Sequence, residues 1–187
     1  METITALWLP ILVSAVVVFV LSSIIHMGPL WHKTDFPKVP NEDALMNAVR
    51  PLNIPPGDYM VPRPTSGAEM KSPEFQEKAK KGPVMVLTMM PPGMINMGQN
   101  LILWFLYCIG VSVLAASMSF GLPKQPSFHD VLRTTGMAAF IGYAVALWQN
   151  SIWYKRAWSF TIKATFDGLI YAAGTVAVFY YLWPKAA

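Results

Sequence analysis

Apolar positions along the chain gather into four long runs, and one long polar interval separates the first run from the other three. Residues 4–25 hold no ionisable group over 22 positions, which at ~1.5 Å per residue is enough to cross a hydrocarbon core of ~30 Å. This run predicts transmembrane helix 1. It is too long for a signal-peptide core, and Met1-Glu2-Thr3 supplies no basic start, so the segment is expected to stay attached. Pro10 falls early in the run, where a membrane helix tolerates it.

The second run predicts helix 2 over residues 99–120, led in by Asn96, Gln99 and Asn100 and stopped by Gly121-Leu122-Pro123. Ser127 with Asp130 three positions on reads as a capping box that opens helix 3, residues 128–153. Helix 4, residues 162–183, carries Lys163 and Asp167 in its first turns and closes on Phe179, Tyr180, Tyr181 and Trp183, an aromatic belt of the kind that sits at a membrane surface. The fold class expected is an all-α integral membrane protein, four transmembrane helices with a Pro-rich, mostly irregular extramembrane loop domain between helices 1 and 2.

That loop domain, residues 26–98, opens with His26, Pro29, Trp31, His32, Lys33 and Asp35, a mixture suited to the headgroup layer. Asn41 as N-cap with Glu42 and Asp43 behind it predicts a short helix near residues 42–50. Ser72 followed by Pro73, with Lys80 and Lys81 before Gly82-Pro83, predicts a second over 73–81. Tyr59 to Val61 reads as a brief extended piece. Val84 to Met90 is too short to span, and Pro91-Pro92-Gly93 ends it, so it reads as a strand or an interfacial segment.

Composition agrees with the membrane class: 54% apolar and 13% charged residues, with a mean hydropathy of +0.40. A net charge of +4, with bases and acids mixed in the loop, gives no nucleic-acid footprint and matches membrane lipids as partners. Near the span ends, Lys33, Lys38, Lys78, Lys80, Lys81, Lys155, Arg156 and Lys163 stand on the loop side against Lys124, Arg133 and Lys185. This bias favours a cytoplasmic loop domain on a multi-pass protein of the cell membrane, in bacterial terms the inner membrane. The single cysteine, Cys108, excludes an intrachain disulfide and a Cys-based zinc site.

Candidate chemistry is sparse. At helical spacing, Asn96, Gln99, Asn100 and Tyr107 share one face of helix 2, Gly136, Ala139, Tyr143, Ala146 and Asn150 one face of helix 3, and Lys163, Asp167 and Tyr171 one face of helix 4. Turned inward, Asn96, Gln99, Asn100, Tyr107, Asn150, Lys163, Asp167 and Tyr171 would form a polar pocket at the loop-side ends. The plainer reading makes Lys163 and Asp167 an i,i+4 pair near a helix start. His26 and His32 with Asp35 are weak candidates for a divalent metal, since no helical spacing fixes them. Met85, Met89, Met94 and Met97 are weak candidates for copper, packing being the commoner use of methionine. No phosphate loop, nucleophile elbow or zinc-protease motif occurs, so neither catalysis nor a cofactor is expected. The expected role is a non-enzymatic, self-associating or accessory subunit, a homo-oligomer or part of a larger membrane complex. Small-residue pairs Ala138/Gly142 and Gly168/Ala172 would pack on a neighbour. A small channel or transporter component is the alternative, and a copper-binding membrane protein the second.

Overall fold

A computed structural model describes residues 4–28 and 31–184; Met1 to Thr3, Pro29 and Lys185 lie outside the described residues. The chain divides into two compact units, Pro37–Ile95 and the segments flanking it. It is mostly helical, and four helical stretches, Ile4–Met27, Met97–Met118, Phe128–Tyr154 and Trp158–Tyr181, are long and apolar enough to cross a membrane.

In chain order, a 3-10 turn at Ile4–Leu7 leads into α1, Trp8–Met27, and a second 3-10 turn, Trp31–Thr34, follows it. The unit Pro37–Ile95 then begins with α2, Glu42–Val49, capped by the Asn41 side chain, which accepts from the Ala44 N–H at 3.2 Å. Strand β1, Gly57–Val61, precedes two short helices, α3, Gly67–Lys71, and α4, Pro73–Lys81, each opened by a serine cap. Strand β2, Met85–Met89, closes the unit. It pairs antiparallel with β1 in the register Tyr59↔Leu87, and Thr88 donates to Asp58 across the pair at 2.7 Å. The two extended pieces of sequence thus form one ladder, which gives the loop unit more order than the mostly irregular domain expected.

The remaining helices are α5, Met97–Met118, α6, Phe128–Val131, α7, Met137–Tyr143, α8, Trp148–Tyr154, and α9, Trp158–Tyr181. In the bundle α1 packs on α5 and α9, and α7 packs on the same two helices. One apolar cluster, with Val18, Ile25, Cys108, Val111, Tyr143 and Tyr171, fills the end nearer His26; another, with Leu7, Ile11, Val131, Val176 and Phe179, fills the far end. Hydroxyls bridge the helices inside: Ser14 donates to Ser112 at 2.9 Å, and the Trp104 indole donates to Ser22 at 2.8 Å. In lipid such bonds and close contacts between small residues replace the hydrophobic drive of a soluble core.

The third span departs from the single helix expected over 128–153. A π-helical turn occupies Leu132–Gly136, where the hydroxyls of Thr134 and Thr135 bond to the carbonyls of Asp130 and Val131 four residues back and compete with the regular ladder. A second break falls at Ala144, where φ is −127° and a 3-10 turn, Val145–Leu147, takes over. The Tyr107 hydroxyl of α5 donates to the Gly142 carbonyl beside that break, as membrane-buried backbone requires when its own helix stops serving it.

The break is seated on α9. A Cβ at Gly168 would stand 2.6 Å from the Ala144 Cβ, and one at Gly142 would meet Val111 at 3.0 Å. Of the small residues expected to face a neighbouring molecule, Gly142, Gly168 and Ala172 are thus used within the chain, Ala172 being buried. Gly168→Ala should lower bundle stability by about 1–3 kcal/mol through overpacking, read as a drop in thermal midpoint in detergent. Gly110→Ala, where a Cβ meets nothing within 4 Å, should leave the midpoint unchanged.

Candidate metal centre

The 3-10 turn Trp31–Thr34 folds back against α9, and this return decides which charges meet. Lys163 reaches the Asp35 carboxylate at 2.7 Å and the Thr34 hydroxyl at 2.9 Å, and donates as well to the Trp31 carbonyl. It does not pair with Asp167. The i,i+4 reading fails because three oxygens on the returning turn take the ammonium first. Asp35 is 5% exposed in its side chain. Burial pushes its carboxyl up, but hydrogen bonds from Lys163 and His32, with their charges, outweigh that and hold it below the ordinary carboxylate range.

Asp167 sits deeper than its place in a helix over 162–183 implies. Because α9 begins at Trp158, Asp167 is nine positions inside it, ~14 Å along the axis, and only 3% exposed. Its neighbour is His32, whose Nε2 stands 2.9 Å from Asp167 Oδ2. His26 completes a group of three, with ligand atoms of His26, His32 and Asp167 all within 4.8 Å of one another.

The other ring nitrogens fix the tautomers. His26 Nδ1 lies 3.0 Å from the Ser22 carbonyl, which only accepts, so Nδ1 carries the hydrogen. His32 Nδ1 lies 2.7 Å from Asp35 Oδ2, and an ionised carboxylate likewise only accepts. In the neutral form both histidines keep a bare lone pair on Nε2. This is the arrangement in which a carbonyl or carboxylate behind each imidazole orients it and strengthens it as a ligand. The Nε2 of His32 meets no donor or acceptor in hydrogen-bonding geometry despite its 2.9 Å approach to Asp167. The two rings stack with centroids 4.3 Å apart at 10°. Since each lone pair lies in its ring plane, an ion held by both turns the rings out of parallel, which exposed His26 at the end of α1 can do by pivoting about its Nδ1 bond to the Ser22 carbonyl.

Beside this group lies a cavity of about 510 Å³ whose lining includes His26, Asn100, Trp104, Tyr107, Tyr143, Asp167 and Tyr171. Of the pocket residues expected from sequence, Asn100, Tyr107, Asp167 and Tyr171 line it. Asn96, Gln99, Asn150 and Lys163 do not. The Asn96 side chain caps α5 instead, accepting from the Gln99 N–H at 3.1 Å, Asn150 is on α8, and Lys163 serves Asp35. Trp104 and Tyr143 belong to the lining; Tyr143 was legible from its helix face, whereas Trp104 gave no polar signal. Met85 and Met89 lie on β2 in the other unit, and Met94 is 99% exposed. Met97 opens α5. Among the described residues the group that could hold a metal is the His26, His32 and Asp167 set, with Asp35, the carboxylate grouped with the histidines from sequence, standing behind His32.

Compared with protein-family models, curated proteins and solved structures, the chain finds no match. The site is therefore read on its geometry alone.

The Asp35–Lys163 pair anchors the turn that carries His32. Lys163→Met should destabilise the protein by about 2 kcal/mol, because it strands a buried carboxylate. Adding Asp35→Asn should recover part of that loss. A double-mutant cycle of unfolding midpoints checks both, and strict additivity of the two substitutions would contradict the pairing.

Proposed function

We propose that the protein is an integral membrane metal-binding protein that holds one divalent transition-metal ion, of the zinc or ferrous type, on His26 Nε2, His32 Nε2 and an Asp167 oxygen. One observation carries this reading. Both imidazoles are tied at Nδ1, and the Nε2 of His32 stands 2.9 Å from a carboxylate oxygen of Asp167, outside good hydrogen-bonding geometry. Two ligands at ~2.1 Å from one ion and at right angles to each other are ~3 Å apart, so the spacing suits a shared cation. Without one, either His32 takes a second proton or a lone pair and a carboxylate oxygen face each other in a buried site, which is unfavourable.

Two imidazoles and a carboxylate suit borderline metals better than the thioether-bound copper that the methionines raised. Three protein ligands leave coordination positions open, in contrast to the closed four-ligand set of a structural zinc site. His26 and Asp167 also line the adjoining cavity, which supports an exchangeable, ligand-accepting ion rather than a structural one. The accessory-subunit reading loses the support of its small-residue faces, since Gly142 and Gly168 pack against Val111 and Ala144 of the same chain. The bias of basic residues still favours placing the loop unit in the cytoplasm.

Mass-spectrometric metal analysis of the full chain, purified in detergent without chelator and titrated with zinc, tests the reading. About one ion per chain is expected, with at least tenfold weaker binding in His32→Ala and Asp167→Asn and unchanged binding in Met85→Leu/Met89→Leu. Failure to take up zinc, cobalt or ferrous ion would instead favour a metal-free network in which protonated His32 bridges Asp35 and Asp167.

A further inference from the structure

The cavity beside the proposed ion is far larger than the ion needs. About 510 Å³ falls within the ~300–1,000 Å³ range of small-molecule sites. Phe160 and a chain of four further rings bound it: Trp104 lies 5.5 Å from Tyr107 and 6.2 Å from Tyr143, and Tyr143 lies 5.4 Å from Tyr171, centroid to centroid. The indole of Trp104 is pinned by Ser22, and Tyr107 by the Gly142 carbonyl, so these walls are held in place before any ligand arrives.

Three other polar atoms of this wall lack partners. Asp167 Oδ1 and the hydroxyls of Tyr143 and Tyr171 are buried with no hydrogen bond. The Trp31 indole approaches Asp167 and the Tyr143 hydroxyl approaches the Cys108 thiol, neither closing a bond of good geometry. Leaving a buried polar group unpaired is costly, and all three belong to residues that line the one cavity. The rim is mixed: Leu103 is 56% exposed and Tyr107 45% exposed on α5, and His26 and Asn100, also in the lining, are exposed beside them. A molecule that fits here is amphiphilic, with an apolar body and ring for the aromatic walls and a hydroxyl that both donates and accepts.

We infer that the cavity binds a lipid-soluble phenol, an aromatic ring bearing a hydroxyl group, which donates to Asp167 Oδ1, accepts from the Tyr171 hydroxyl and lies close enough to enter the ion's open coordination positions. The break after α7 fits this use, since irregular backbone at membrane depth is tolerated where it lines a cavity. The inference rests on the metal reading for its last element, and the test separates the two.

The full chain in lipid nanodiscs, loaded with Co(II), reports its coordination through visible absorption bands. Titration with 4-decylphenol should shift those bands saturably at about one molecule per chain, and decylbenzene, which lacks only the hydroxyl, should leave them unchanged. Tyr171→Phe should load Co(II) with an unaltered starting spectrum yet bind the phenol roughly tenfold more weakly, the effect of one lost hydrogen bond. If that variant fails to load, the contrast between decylphenol and decylbenzene on the wild type decides alone. Bands of the loaded protein that ignore decylphenol, respond equally to decylbenzene, or respond alike in wild type and variant would overturn the phenol site and leave the metal reading intact. A chain that takes no Co(II) would overturn both.

Discussion

A carboxylate buried about two and a half turns inside a membrane-spanning helix is expensive unless something positive meets it. Asp167 is that group, and the loop-side half of the bundle is arranged around its compensation. The chain leaves α1, makes a tight 3-10 turn and brings His32 back over α9. Lys163, one turn above Asp167, is bound to the oxygens of that turn and so fixes the position of His32. Asp35 completes the frame from behind by orienting the imidazole. The line from Lys163 runs through Asp35 and a neutral His32 to Asp167. The one contact in that line that lacks hydrogen-bonding geometry is the His32–Asp167 approach. A cation placed there would set the signs alternating along the line.

A second close contact accompanies the break in the third span. Ala144 sits so near Gly168 of α9 that a Cβ on Gly168 would stand 2.6 Å from the Ala144 Cβ. Turning at Ala144 keeps that contact, and the Tyr107 hydroxyl supplies a partner for the Gly142 carbonyl. The result is a cavity walled by rings and bounded by the proposed ligands. Its rigidity comes from pairing each ring with a neighbouring element, while the hydroxyls of Tyr143 and Tyr171 stay free.

The four spans were legible because uninterrupted apolar runs of sufficient length have few other uses. The π turn and the break at Ala144 were not: no proline marks them, and they arise from threonine back-bonding and from contact with α9. Asp167 and Tyr171 were legible as an inward face of one helix, and Asn100 and Tyr107 as that of another. The meeting of His26, His32 and Asp167 was not, because it depends on the direction in which the chain leaves α1, and six residues without helical periodicity do not specify a direction. The pairing of Lys163 with Asp167 looked natural for a local reason, their i,i+4 spacing. The structure prefers a partner 128 positions away in sequence, a choice that local spacing cannot reveal.

X-ray absorption on the zinc-loaded protein reads whether two imidazoles and one carboxylate share the proposed ion at the head of the bundle. A first shell of nitrogen and oxygen at ~2.0–2.2 Å, with the outer scattering of two imidazole rings and no sulfur, is the expected result. A sulfur shell at ~2.3 Å, or a shell without imidazole scattering, would contradict it.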